Sequence, residues 1–325
     1  MKEKQIDSFK ILKILSCLGV ILVHYGQISS LSKTPKIIAD FGAYGVYMFF
    51  IISGFLGYHS YSHTLSFRQY YLKRIFRILP LYYTIIIYNV ILYEFILRGH
   101  FIIPADSSHL GWLRYFLLLS QVLPSSDPFW INLSATWTIS HFIFFYFLMP
   151  ILFKYVSSLR RALLLQLCGF VFNYFWHMDY LLPFTSIYYF AIGITVYLAF
   201  KEQKENTIIA ISCLSSIFFL LFSHDLKYIY SNIFMLLIIA GKNYSISNPF
   251  MQKCISLLDE YSFTVYLVHA IIVEALVLFL RFYPLSSLQI LFLLVTGTAM
   301  ISILFHCLIE KPVNRFVSTR IRGTK

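Results

Sequence analysis

The run Phe9-Lys10-Ile11-Leu12-Lys13-Ile14-Leu15-Ser16-Cys17-Leu18-Gly19-Val20-Ile21-Leu22-Val23-His24-Tyr25-Gly26-Gln27-Ile28-Ser29 decides the fold class. A helix that crosses a bilayer needs ~20 mostly apolar residues, and this run is that long. Lys13 and His24 interrupt it. At 1.5 Å per residue they stand roughly 16 Å apart along a helix, and eleven steps of ~100° bring them to nearly the same face. Ionisable groups inside a span are costly and mark functional sites by default. Two readings of the pair are open. A cation at the mouth and a base deeper in one cavity would suit an anionic donor delivered from inside. Alternatively, Lys13 snorkels to the interface and His24 hydrogen-bonds a neighbouring helix.

Outward from this run, apolar stretches recur at about 42–60, 80–98, 136–156, 162–177, 184–200, 207–223, 228–241, 262–281 and 287–309, ten in all. The 325 residues are 59% hydrophobic and only 12% charged, with a mean hydropathy of +0.73. A soluble domain carries about 25% charged residues, and its surface could not be coated by so few. The expectation is an all-α polytopic membrane protein of about ten transmembrane helices, forming a single domain over residues 1–325. Residues 112–123 are too short to span and are expected to form a re-entrant or interfacial piece of the long loop at about 99–135. In that loop Asp106, His109, Trp112 and Arg114 are available to contact an acceptor.

Lys and Arg number 26 against 14 Asp and Glu, a net charge of +12. In a membrane protein this excess reads as positive-inside bias and not as a nucleic-acid site. With ten spans and a cytoplasmic N-terminus, twenty of the 26 fall on the cytoplasmic side, so both termini are expected there. The opening run lacks a small-residue cleavage site and is expected to be a retained helix. The five cysteines form no CxxC pair, and neither HExxH nor GxSxG nor a P-loop occurs, so no metal is expected and protease, hydrolase and NTPase readings lack support.

Further polar groups sit in or beside spans. Ser53 and Gly54 follow Gly45-Val46-Tyr47-Met48-Phe49-Phe50-Ile51-Ile52; small residues there suit close helix packing as well as they suit a catalytic role. Arg74 and Arg77 fall in a loop three apart before Pro80, a proline expected in the first turn of the next helix. Two guanidiniums on one face suit bidentate phosphate binding, or lipid-headgroup contact. Trp137 and His141 are four apart and share a face, either lining a cavity or joining the aromatic belt. His269 is expected about seven residues into the ninth helix, within Tyr261-Ser262-Phe263-Thr264-Val265-Tyr266-Leu267-Val268-His269, and Glu310-Lys311-Pro312 is expected to end the last span.

Taken together, these patches resemble the acyltransferase 3 family of integral membrane acyltransferases, which includes bacterial O-antigen and capsule O-acetyltransferases. Lys13 and His24 are similar to its basic-x10-His pattern, Gly45–Leu56 to its GV-FF-SGF stretch, Arg74, Arg77 and Pro80 to its RxxRxxP loop, Tyr261–His269 to its SYxxYLxH segment, and Glu310-Lys311-Pro312 to its terminal EKP. The resemblance implies transfer of an acetyl or related acyl group from cytoplasmic acetyl-CoA to a hydroxyl of an extracytoplasmic polysaccharide or glycolipid, in the bacterial inner membrane and in contact with membrane lipid. It implies His24 as catalytic base or acyl relay, Lys13, Arg74 and Arg77 as holders of the CoA phosphates, Ser53 as a pore-lining residue, and Trp137, His141 and His269 on the substrate side. Two features depart from the pattern. Many relatives carry an acid three residues before the helix-one cation, where this chain has Lys10, with Asp7 one turn earlier. Many also carry two acids five and six residues after the Trp of the fifth span, where this chain has Phe142 and Ile143; either His141 replaces the acid or the acceptor differs. The alternative reading is a glycan or lipid transporter or exporter, since a polar-lined bundle also serves permeation. No motif specifies the acceptor sugar, the acyl chain or an oligomeric state.

Overall fold

The computed structural model describes residues 7–29, 33–64, 66–92, 109–118, 135–176, 182–223 and 225–322. Among them the helices are α1 (Asp7–Ile28), α2 (Lys33–Phe41), α3 (Gly45–Ser62), α4 (Phe67–Ile91), α5 (His109–Phe116), α6 (Trp137–Tyr155), α7 (Leu159–Trp176), α8 (Ile187–Glu202), α9 (Glu205–Phe218), α10 (Leu226–Ala240), α11 (Pro249–Leu280), α12 (Ser287–Phe305) and α13 (Lys311–Arg322). No strand occurs among the described residues. With no water in hydrocarbon to satisfy backbone groups, a helical bundle is one of two architectures that can span it. The protein is an all-α polytopic membrane protein.

Among the described residues, eight helical stretches are long and apolar enough to cross a membrane, against the ten expected along the whole chain. Helix α10 is apolar but short. Helix α7 has the length, but Arg160, Arg161, Gln166 and Asn173 dilute its 18 residues. Leu288, Phe292, Val295 and Met300 on α12 are exposed at the bundle's outer face, as contact with lipid requires.

Three expected boundaries shift, two of them because capping residues lie outside the apolar runs. Ser66 caps α4, its side chain accepting from Gln69 N at 3.3 Å, so the helix begins well before residue 80. Arg74 and Arg77 therefore lie on a helix and not in a loop, and Pro80 lies inside it. Proline deprives the Phe76 carbonyl of its intrahelical donor; Thr84 Oγ1 in turn donates to the Pro80 carbonyl at 2.8 Å. Asn248 caps α11 by accepting from Phe250 N (2.9 Å) and Met251 N (3.2 Å), with Pro249 in the first turn. His269 is thus well past the middle of a 32-residue helix, not seven residues into it. Glu310-Lys311-Pro312 does not end the last helix: a π-helical turn, His306–Glu310, leads into α13. Helix α13 packs along α4, with Phe316 against Phe76 at 6.5 Å.

Helix α8 is the buried centre and packs closely against α3. Gly54 and Gly193 make this possible. A Cβ on Gly54 would strike the Phe190 carbonyl oxygen, and one on Gly193 would strike that of Ile51. Helix α5 docks on α4: Tyr82 Oη donates to the Tyr115 carbonyl (2.6 Å) and Tyr83 Oη to that of Phe116 (3.1 Å). Trp112 is buried in that contact region, while Asp106 lies outside the described residues. A methyl group at Gly193 must push two backbones apart, so Gly193→Ala should destabilise the bundle by about 3 kcal/mol or fail to assemble. A clear fall in unfolding temperature in detergent micelles checks this; an unchanged transition would refute the crossing.

Candidate active site

Helices α1 and α11 run parallel, and their register builds the site. At one end the Lys13 ammonium forms an ion pair with the Asp259 carboxylate, both largely buried. One turn on, Cys17 Sγ faces the Ser262 carbonyl at 3.5 Å. Further along, the His24 and His269 rings approach to 5.1 Å between centroids. His24 Nδ1 lies 2.9 Å from Gln27 Oε1. With the amide oxygen accepting from Nδ1–H, Nε2 keeps the basic lone pair. His269 is fully buried and neither ring nitrogen has a side-chain partner; its ring lies 5.8 Å from that of Tyr266.

A cleft of about 730 Å³ opens at the Lys13 end, lined by Lys13, Ser53, Arg74, Arg77, Thr138 and Tyr266 among others. Arg74 Nη2 donates to the Leu56 carbonyl at 2.7 Å, and its guanidinium lies over the rings of Tyr70 and Tyr146 at 5.9 and 5.4 Å. Among the described residues no carboxylate pairs with Arg74 or Arg77. Two guanidiniums without counter-ions, one helical turn apart, make the cleft mouth a receptor for an anion with several oxygens. At the inner end Tyr266 Oη and Thr138 Oγ1 share a hydrogen bond at 3.1 Å. The arrangement therefore runs from cations at the mouth, through the Tyr266–Thr138 pair, to His269 and His24.

The expected site residues separate into three groups. Lys13, Ser53, Arg74 and Arg77 meet in this one cleft, and Ser53 lines it while Gly54 makes the backbone crossing with α8. His24 and His269 meet each other, but neither is among the residues lining the cleft; Tyr266 connects them to it. Trp137 and His141 do share a face, but the cleft face of α6 is one residue further on, at Thr138, Phe142 and Tyr146. His141 is pinned instead: its Nδ1 lies 3.0 Å from the Trp137 carbonyl, and its ring stacks on Phe50 at 5.4 Å. Asp7 does not face Lys13; it pairs with Lys10 at 3.1 Å and accepts from Ile246 N at 3.1 Å. The carboxylate opposite Lys13 is Asp259, which sequence reasoning missed. The signal was present as an acid ten residues before His269, matching the Lys13-to-His24 spacing.

Removing one partner of a buried ion pair leaves the other charge uncompensated, at about 3–5 kcal/mol. Lys13→Met should thus lower the unfolding temperature markedly, and the double variant Lys13→Met with Asp259→Leu should recover much of it. Equal losses from both would show that the pair contributes nothing.

Residues 6–307 match the profile of a family described as an acyltransferase domain. No curated protein and no solved structure matches the chain.

Proposed function

Because this chain belongs to the acyltransferase 3 family, which covers nearly all of it, and is a membrane acyltransferase, we propose that it moves an acetyl or similar acyl group from acyl-CoA to a hydroxyl of an extracytoplasmic polysaccharide or glycolipid. The observation that carries this reading is the run of contacts that joins the Arg74–Arg77 cleft to the histidines, Tyr266 lining the cleft beside Thr138 while its ring meets His269, which in turn meets His24. The donor enters from the cytoplasm at the basic end. The N-terminal end of α1 and the α12–α13 junction lie together at that end: Lys10 Nζ donates to Ser256 Oγ (3.2 Å) and His306 Nε2 faces Glu260 (3.1 Å). This supports the beginning of α1 and the α12–α13 junction on one side of the membrane, which we take as the cytoplasmic side of a bacterial inner membrane.

Coenzyme A carries phosphates at its nucleotide end and a long, narrow pantetheine arm with two amides and a hydroxyl; the cleft offers guanidiniums at its mouth and, within, apolar walls interrupted by the hydroxyls of Ser53, Thr138, Ser262 and Tyr266, so the residues fit the group. When bound, the thioester supplies an activated acyl carbonyl. Arg74 and Arg77 hold phosphate oxygens bidentately. Lys13 adds positive charge that Asp259 keeps fixed in place. Thr138 Oγ1 donates to the Ala135 carbonyl at 3.1 Å, so the donor at the inner end is Tyr266 Oη, which turns from Thr138 to the carbonyl oxygen as that oxygen gains negative charge. His24 takes the proton of the acceptor hydroxyl at Nε2 as the new C–O bond forms and the C–S bond breaks. The same proton leaves on the thiol. His269, buried against His24, excludes water and holds the imidazole in place.

Two measurements on purified protein test this. His24→Ala should reduce acyl transfer from acetyl-CoA by about 10²- to 10⁴-fold with an unchanged unfolding transition; full activity would remove His24 from the mechanism. Arg77→Ala should raise KM for acetyl-CoA by about 10-fold or more with little change in kcat. A fall in kcat alone would place the phosphates elsewhere.

A further inference from the structure

Glu310-Lys311-Pro312 joins α12 to α13, and none of the three lines the cleft that holds Arg74 and Arg77. The residues before Lys311, His306–Glu310, form a π-helical turn that the Lys311 N–H closes on the His306 carbonyl. Pro312 has no N–H with which to carry that pattern on. Such turns are rare and occur frequently at functional sites.

His306 is the group this turn presents to its neighbours. It is only 4% exposed, and both ring nitrogens meet carboxylates. Nδ1 lies 2.7 Å from Glu310 Oε2 within the turn, and Nε2 lies 3.1 Å from Glu260 Oε1 on α11. The Tyr261 ring packs on it at 4.4 Å between centroids. With both nitrogens engaged, the ring has neither a lone pair nor a proton left for a substrate. What it does is join elements.

Those elements enclose the basic end of the cleft. Glu260 follows Asp259, whose carboxylate pairs with Lys13. Glu310 leads into α13, which lies along α4 with Phe316 against Phe76, and the π turn itself packs on α4. Phe76 falls between Arg74 and Arg77. A run of contacts therefore leads from Lys13 through Asp259 and Glu260 to His306, and on through Glu310 and α13 to the guanidinium-bearing turn of α4. Hydrogen bonds to carboxylates are roughly twice as strong as those between neutral groups, so His306 is a firm link in that run.

We infer that His306 is a positioning residue for the acyl donor: holding Glu260 and Glu310 at once, it sets the spacing between Lys13 and the Arg74–Arg77 pair. The donor's identity rests on the acyl-CoA reading, whereas the role of His306 is measurable as an affinity, without turnover.

The test uses the purified full-length protein in nanodiscs. KM and kcat are measured for acetyl-CoA, and Kd for CoA by calorimetry. His306→Ala should raise KM and Kd by about 10-fold, the worth of one hydrogen bond to a charged group, with kcat nearly unchanged. His306→Gln keeps an amide N–H where Nε2 stands, and with it the tie to Glu260, so it should restore most of the affinity. His306→Asn is too short to reach Glu260 and should not. Glu260→Ala alters a side chain that is mostly exposed; it should raise KM and Kd as His306→Ala does, and serves if that variant fails to fold. Because both break one tie, the double variant should be no weaker than His306→Ala alone. Unchanged KM and Kd in the folded variants, a fall in kcat alone, or losses that add in the double variant would overturn the role. A parent protein that binds no CoA and consumes no acetyl-CoA would remove the acyl-CoA reading, and this role with it.

Discussion

An ammonium group on an apolar helix must reach water or meet a counter-charge. For Lys13 the second solution holds, and much of the site follows from it. The partner, Asp259, is on α11, so the pair fixes the two helices both in direction and in height. From Lys13 to His24 is eleven residues and from Asp259 to His269 is ten. At 1.5 Å per residue these are nearly equal rises, about 16 and 15 Å. The two imidazoles therefore arrive at the same depth, side by side. One ion pair near the mouth thus sets the geometry of a base pair deep in the bundle. The desolvation cost of a buried pair is rarely repaid in stability, which fits a role in register better than one in net stabilisation.

The crossing of α3 and α8 supplies the second constraint. Because Gly54 and Gly193 let the backbones touch, the rest of α3 is held firmly against the bundle centre. Its neighbouring residues then face different spaces, Phe49 toward the cleft lined by Lys13, Arg74 and Arg77 and Phe50 toward a second cleft lined by Tyr47, Tyr189 and Lys227. Helix α6 repeats the pattern with Thr138 and Trp137. The two clefts thus lie on either side of the same short stretches of α3 and α6.

Much of this was legible in the sequence. Apolar runs separated by charge located the helices, because burial in lipid leaves little freedom in composition. Lys13, Ser53, Arg74 and Arg77 were marked as unusual and meet in one cleft. What was not legible has identifiable causes. Asp259 was missed because a hydropathy-based start near residue 262 leaves it in a loop, whereas the Asn248 cap starts the helix at Pro249. The Arg74–Arg77 segment was read as a loop because Pro80 suggested a helix start; inside a packed bundle, proline in mid-helix is tolerated. Which cavity Trp137 and His141 face was not legible because α6 is apolar nearly all round, with Phe142, Phe144, Phe145 and Phe147 on several sides; Trp137 lines a cleft other than the one that holds Lys13, Arg74 and Arg77. The contact between His24 and His269, more than 240 residues apart, depends on a parallel pairing of helices that no local pattern encodes.

The most direct measurement of the central claim is an experimental structure of the protein in lipid nanodiscs with a non-hydrolysable thioether analogue of acetyl-CoA bound. Nucleotide phosphates are expected against Arg74 and Arg77, the pantetheine arm running inward past Ser53, and the thioether near Tyr266 and Thr138, with Lys13 still paired to Asp259 and His24 beside His269. Density for the nucleotide at the Lys227 end, or histidines drawn apart with the Lys13–Asp259 pair broken, would contradict it.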